Sequence, residues 1–308
     1  MITLLRAPPF ATVQDLGRPG HLEAAVPRAG ALDRLALAVG NLLVGNSRSA
    51  AGLEWGVGAG VVRFEQPATV ALTGACATAT LGGLPIEPGR AVRAGHGDTL
   101  EVKRLDSGAW LYLAVSGGID VPLVLGSRST YLPGRFGGLE GRVLRSGDQL
   151  PIGVEPERSG PTTAPAEPAG VETGPIRILP GPDRGLLPPG GWDRMVGAEY
   201  KVSRAVSRMG YRLQGGSSGI SGTPDGPSAP AAIGTVQLPA GGEPIVLLCD
   251  GPTVGGYARI GVVVTADLGR LAQRRPGDLV RFRPVELIEA RQALREQLAL
   301  LDRLERRA

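Results

Sequence analysis

Apolar residues along this chain fall mainly into short runs that alternate with polar ones and stop at glycine, proline or Gly-Asp. Three runs share one opening: "GDTLEV" at 97–102, "GDQLPI" at 147–152 and "GDLVRF" at 277–282. Each predicts a Gly-Asp turn feeding an alternating, half-buried strand. A longer echo links "GAWLYLAVSGGIDVPLVLGSRST", 108–130, with "GEPIVLLCDGPTVGGYARIGVVVT", 242–265. Both predict a strand, a glycine turn and a second apolar run, so two β domains of related build are expected. Helical spacing shows in three places. Asp33 is placed to cap Arg34 to Val44, whose Leu35, Val39, Leu42 and Leu43 share a side, with Gly45 as the stop. Thr265 is placed to cap a short helix through Ala272. From Val285 to Arg306 the residues Ile288, Leu294, Leu298, Leu301 and Leu304 line one face, which predicts a terminal helix packed on its own domain.

Residues 154–175, "VEPERSGPTTAPAEPAGVETGP", hold five prolines and almost no large apolar side chain, the composition of a linker. The expected organisation is a β domain over 1–153, a Pro-rich linker over 154–175, a second β domain over 176–284 and a C-terminal helix over 285–308. Composition fits this picture: 48 glycines and 27 prolines suit many short strands, and 42% hydrophobic residues supply a core.

Charge and motif content remove several chemistries. The net charge is +4, but Lys103 and Lys201 are the only lysines, aromatics are 4%, and no long basic block occurs, which argues against nucleic acid as a partner. Cys76 and Cys249 each sit inside an apolar run and read as free thiols of a reducing compartment. With no membrane-length apolar stretch and no signal-peptide pattern at the start, a cytoplasmic protein without a membrane partner is expected. Neither lysine lies in a Gly-rich loop, so a P-loop is ruled out. "GVGAGVV", 56–62, misses the dinucleotide spacing. His21 and His96 are the only histidines, too few with two cysteines for a His/Cys zinc site, and no metal ligand is assigned. "GGSSGIS", 215–221, reads as a flexible loop.

The stretch "LLCDGPTVGGYARIGVVV", 247–264, is therefore not a lysine-bearing phosphate cradle. It predicts a strand ending at Asp250, a glycine loop and a second strand from about Ile260.

Seven motifs occur in order over nearly the whole chain: "TVQDLGRPG" (12–20), "GALDRLALAVGNLLVGN" (30–46) with "LEW" after it, "AVSGGIDVPLVLGSRST" (114–130), "SRMGYRL" (207–213), "GTVQLPAGGEPIVLL" (234–248), "GGYARI" (255–260) and "LAQRRPGDLVRF" (271–282). Together they resemble the biotin-dependent carboxyltransferase-like family of allophanate hydrolase subunit 2, the KipA type and the C subunit of 5-oxoprolinase. The resemblance implies a mainly β protein of two cyclophilin-like β-barrels with few short helices and a C-terminal helix. It also implies protein partners: a B subunit or KipI-type protein and, for 5-oxoprolinase, the enzyme's A subunit. The implied reaction is ATP-dependent opening of the lactam of 5-oxo-L-proline to L-glutamate, with ATP and magnesium used through the complex. The alternatives are an allophanate hydrolase subunit 2 or urea carboxylase-like carboxyltransferase subunit, and a non-catalytic KipA-type regulator that binds a KipI-type partner. The chain has no Met-Lys-Met biotin acceptor, so no biotin is expected on it.

Activating a lactam oxygen by phosphorylation calls for cations and amide donors around phosphate oxygens and for polar groups that orient the ring. On the motifs of this sequence the catalytic candidates are Asp15, Arg18, Asp120, Arg128 and Asp250. The substrate-binding candidates are Gln14, Arg208, Tyr211, Gln237, Thr253 and Tyr257. Arg128 and Asp250 are expected to serve activity with little bearing on stability. The sequence departs from the family pattern at Ser207, where an acid is usual, at Ala229 in place of a glutamate, at Pro252 in place of Gln or His, and at Ala258 in place of a proline.

Overall fold

The computed structural model describes residues 1–157, 160–161, 163–164, 174–215 and 226–307. The loop 215–221 falls outside them except for Gly215. The chain divides into two compact units. The first takes Met1–Arg18, Ala29–Val171 and Leu298–Ala308; the second takes Pro19–Arg28 and Glu172–Gln297.

The first unit contains strands β1 (Ile2–Arg6) and β2 (Thr12–Gln14), helix α1 (Arg34–Leu43), and strands β3 (Gly52–Trp55), β4 (Gly60–Phe64), β5 (Ala68–Leu81), β6 (Leu84–Ile86), β7 (Ala91–Ala94), β8 (Thr99–Val115) and β9 (Gln149–Leu150). They form one nine-stranded sheet in the order β2-β3-β8-β4-β1-β9, with β5 on β8 carrying β6 and β7. The sheet curls as a half-barrel. Its inner face, including Ile2, Val13, Leu53, Trp55, Phe64, Leu72, Leu100 and Leu113, is buried. On the other side Ala38, Val39 and Leu42 of α1 pack against Ala71 and Ala114, together with Leu301 and Leu304. The Asp33 side chain accepts the Ala36 N–H at 3.1 Å, as the sequence predicts for a cap, and the helix stops before Gly45.

The second unit contains β10 (Ile176–Pro180), α2 (Gly191–Gly197), β11 (Glu199–Ser207), β12 (Gly210–Gly215), β13 (Ala229–Pro230), β14 (Thr235–Leu238), β15 (Ile245–Leu247), β16 (Val254–Gly255), β17 (Ala258–Val263), α3 (Leu268–Ala272), β18 (Leu279–Pro284) and the start of α4 (Leu287–Glu305). Seven of these strands close a barrel in the order β10-β17-β14-β15-β12-β11-β18. Ile176, Ile178, Tyr200, Val202, Leu213, Val236, Val246, Ile260 and Phe282 are among its buried residues. The mainly β, two-barrel expectation thus describes the molecule, with one barrel closed and the other sheet half-closed. No helix among the described residues is long and apolar enough to cross a membrane.

The three Gly-Asp turns are one device used three times. Gly97, Gly147 and Gly277 have φ of +82°, +93° and +95°. Each glycine N–H donates to the carbonyl of a single opposing residue, Phe64, Leu4 or Val202, whose own N–H donates to the carbonyl of the following Asp98, Asp148 or Asp278. Two residues face one, with a left-handed glycine first: a G1 bulge. Each aspartate carboxylate also accepts an N–H three residues back, from Gly95, Arg145 or Arg275, at 2.7 Å in every case.

Elsewhere the pattern misleads. The longer echo holds for "EPIVLLCDGPTVGGYARIGVVV", which yields β15, β16 and β17, but in the first unit the run after Gly118 forms no strand, only the isolated bridges Ile119–Ile152 and Val124–Ser127. Thr265 does not cap: the 3-10 turn Thr265–Asp267 has no side-chain cap. Part of segment 154–175 is anchored to the first unit, where Glu155 pairs with Arg93 and accepts hydroxyl hydrogen bonds from Thr69 and Ser116, and Ala164 N–H donates to Gly89.

Asp267 carries the clearest pH dependence. It is fully buried and binds Arg177 through the backbone N–H at 2.7 Å and the guanidinium at 3.0 and 2.6 Å, with Arg270 at 3.1 Å. Burial pushes its carboxyl up, but the Arg177 hydrogen bonds and the two arginine charges outweigh it and hold the carboxyl below the ordinary 3.8. The unfolded chain therefore takes up the proton first. The contribution to stability is full above about pH 5 and is lost as pH falls below about 4 through the folded value. Urea midpoints followed from pH 6 to pH 3 are expected to fall less steeply for Asp267→Asn than for wild type; parallel acid limbs would exclude Asp267 as a source.

Candidate functional site

Five of the candidates lie in the first unit and form one neighbourhood. Asp15 follows β2, and its carboxylate organises the loop 127–130. One oxygen accepts Gly17 N–H at 2.7 Å and the hydroxyls of Ser127, at 2.6 Å, and Ser129; the other accepts Arg128 N–H at 2.6 Å. Ser129 Oγ in turn accepts the Asp15 N–H at 2.9 Å. Asp15 is 8% exposed and Ser127 and Ser129 are fully buried. A carboxylate holding four donors is a scaffold for this loop, not a base open to a substrate.

Arg18 is also enclosed, at 1% exposure. Its guanidinium donates to the carbonyls of Ser129 and Val124 and lies 4.9 Å from the Phe136 ring centre. Gln14 is fully buried, with Nε2 donating to Thr12 Oγ1 at 3.0 Å and Thr130 O at 3.2 Å while Oε1 is enclosed without a partner. These three side chains fix the loop. The group the loop presents is Arg128, whose side chain is 32% exposed and paired with the half-exposed Asp120. That arrangement, a guanidinium on an anchored backbone beside an exchangeable carboxylate, suits an anionic ligand that displaces Asp120.

Ser127 and Ser129 were legible only as part of a motif; nothing in "LGSRST" marks them as Asp15 ligands. A second buried polar set has no motif beyond "LEW". Glu54 on β3 accepts Tyr112 O–H at 2.9 Å and Leu32 N–H at 2.8 Å, and Tyr112 Oη accepts Asp33 N–H at 2.8 Å. Burial first, then the charges of Glu54 and Asp33, push the Tyr112 hydroxyl well above its usual value, so it stays a donor. With Ala31 N–H bound to Asp15 O at 2.9 Å, three successive amides leading into α1 are held by this set and the Asp15 turn.

The other six candidates lie in the second unit. Arg208 sits in the tight connection between β11 and β12, and Asp250 follows β15. They form a forked ion pair at 2.9 and 3.1 Å, with side chains 6% and 1% exposed. Two backbone bonds stitch the same elements, Asp250 N–H to Arg208 O and Leu248 N–H to Met209 O, each 3.0 Å. Ser207 stands where the family pattern has an acid, and its Oγ accepts Met209 N–H at 3.2 Å, the turn contact an aspartate makes there. Tyr211 donates its hydroxyl to Ala272 O at 2.7 Å and is buried. Thr253 uses its carbonyl to receive Ala231 N–H, which pairs the loop with β13, where Ala229 stands opposite Gly255. Tyr257 is 39% exposed and Gln237, on β14, is 4% exposed.

Residues 24–284 match the family described as "Carboxyltransferase domain, subdomain A and B". The chain belongs to this carboxyltransferase family. It is 39% identical over 310 residues to the 5-oxoprolinase C subunit of Escherichia coli, covering 99% of this chain and 97% of that one. The corresponding protein of Haemophilus influenzae is 35% identical and matched over 98% of its length. The urea amidolyase of Lachancea kluyveri is 32% identical over 96% of this chain, which spans only 17% of that protein. Among solved structures, the Kluyveromyces lactis urea amidolyase superposes with a TM-score of 0.88 at 27% identity, covering 99% of this chain and 20% of that one. The matched part of that enzyme has the fold described above.

Proposed function

We propose that the chain is the C subunit of an ATP-dependent 5-oxoprolinase, acting with a B subunit or KipI-type protein and with the enzyme's A subunit to convert 5-oxo-L-proline, ATP and water to L-glutamate. The observation that carries this reading is likeness over nearly the whole chain: the Escherichia coli 5-oxoprolinase C subunit is 39% identical over 99% of it, against 32% for the Lachancea kluyveri urea amidolyase over 96%.

In this reading the first-unit loop supplies the Arg128 guanidinium for an anionic group. Among the described residues no three His, Cys, Asp or Glu side chains gather as a metal site. In this reading ATP with magnesium is used through the assembled complex. A second reading, carboxyl transfer to a small amide, is favoured by the family description itself.

The test is to co-purify the chain with its two partners and measure glutamate release from 5-oxoproline with and without ATP. ATP-dependent glutamate is expected. A verified complex that releases none overturns the reading; carboxylation of urea by the chain with a carboxybiotin donor would establish the second.

A further inference from the structure

Gln237 stands apart from the other buried polar residues of the second unit. It is 96% enclosed, yet none of the hydrogen bonds of the described residues involves its carboxamide. The carboxamide is also not among the described side-chain polar atoms that are wholly sealed without a partner. A carboxamide has two donors and an acceptor oxygen, and leaving all of them unpaired in a nearly closed setting is unfavourable.

The surroundings are built for this side chain. The pairing of β14 with β17 shifts register between Val236 and Gln237, a bulge that re-aims the strand's side chains. Gly255, at the end of β16, lies directly against the carboxamide: a Cβ there would stand 2.6 Å from Gln237 Nε2. That loop is held in place on both sides, by β13 pairing with β16 and by Gly226 N–H donating to Gly256 O at 2.8 Å. The "GGYARI" motif thus includes a glycine whose absent side chain leaves room for an amide.

We infer that the Gln237 carboxamide, under Gly255, is a recognition subsite for the cis-amide edge of a small lactam or urea-like substrate. A primary carboxamide presents N–H and C=O side by side. Its complement is a group that presents C=O and N–H on one edge, giving two reciprocal hydrogen bonds. A lactam is locked in that cis geometry and a urea carries it too, whereas a trans peptide bond points its N–H and C=O in opposite directions. The subsite therefore selects a small cyclic amide or urea over a segment of polypeptide. Its ligand class deepens the proposed function and rests on it for the identity of the lactam.

The experiment has two arms. In the reconstituted complex, Gln237→Leu is expected to raise the KM for 5-oxoproline about 10- to 100-fold with its melting temperature near that of wild type. Gln237→Glu, which keeps the size and the acceptor but not the donor, is expected to fall in between. An unchanged KM in both variants overturns the subsite and leaves the proposed function standing. In the second arm, the full chain is titrated with 2-pyrrolidone and with N-methyl-2-pyrrolidone while the Gln237 side-chain amide resonance is followed. A shift with the first and none with the second is expected, because the methyl group removes the N–H and blocks the edge. No shift with 2-pyrrolidone, or equal shifts with both, overturns the subsite. This arm decides the matter even if the complex hydrolyses nothing.

Discussion

Asp250→Asn is expected to lower the melting temperature of the second unit by about 10 °C, from a loss of about 3–5 kcal/mol. The reason is what remains behind. Arg208 is 6% exposed in its side chain and its guanidinium meets Asp250 in a two-point fork. Asparagine keeps the shape but offers one acceptor and no charge, so the buried guanidinium loses its two-point anionic partner. The sequence-based expectation for Asp250, activity without stability, is thereby revised: the pair locks the β11–β12 connection to the loop after β15. Arg128→Ala is the control. Its pair with Asp120 is partly exposed, and exposed pairs contribute about 0–1 kcal/mol, so its melting temperature should barely move. Thermal scans of both variants decide it. An Asp250→Asn protein that melts within about 2 °C of wild type would show that the fork does not hold the barrel together.

The division between legible and hidden features follows from the range of the forces involved. The carboxylate contacts of the Gly-Asp turns and the Asp33 cap span three residues, so a reader of "GHGD" or "ALDRLA" sees both partners at once, whereas the bulge partners Phe64, Leu4 and Val202 are far off in sequence. The Arg208–Asp250 fork joins residues 42 apart, and the Asp15–Ser129 contact joins residues 114 apart. No local pattern says which acid meets which donor; the motifs name the residues and only the fold pairs them. The terminal helix shows a different failure. The predicted face includes Ile288 and Leu298, which are 83% and 46% exposed. In the second unit the helix buries Ala293 and half-buries Ala290 instead, beside Val264, Ala266 and Val285, and Gln297 donates to Ala266 O at 2.8 Å. In the first unit Leu301 and Leu304 are buried as expected. Alanine signals burial weakly, so close packing through small residues is invisible to a search for large apolar ones. The glycine loop 250–257 was legible as a turn, but its loaded feature, the fit of Gly255 over Gln237, joins β14 of the barrel to β16 of the separate two-stranded sheet.

Asp15→Ala is expected to have the other large effect, at least about 3 kcal/mol of stability, together with a loss of turnover. Four donors converge on this carboxylate, two of them hydroxyls of fully buried serines. Removing it leaves those donors in a nearly closed space and frees the loop 127–130 from the turn at Gly17. Arg128 is fixed through its own backbone N–H to Asp15, so its guanidinium loses its fixed position without being altered. Asp15→Asn separates charge from shape. The amide oxygen still accepts, but the NH₂ confronts donors already pointing at it, so part of the loop contact survives and part becomes repulsive. The expected order of melting temperature is wild type, then Asp15→Asn, then Asp15→Ala. Because Asp15 acts through Arg128, turnover of the reconstituted complex should show coupling. Once Arg128 is replaced by alanine, adding Asp15→Asn should cost little further activity, though it still costs stability. Equal, independent losses from the two substitutions would instead place the Asp15 carboxylate itself in contact with the reacting atoms.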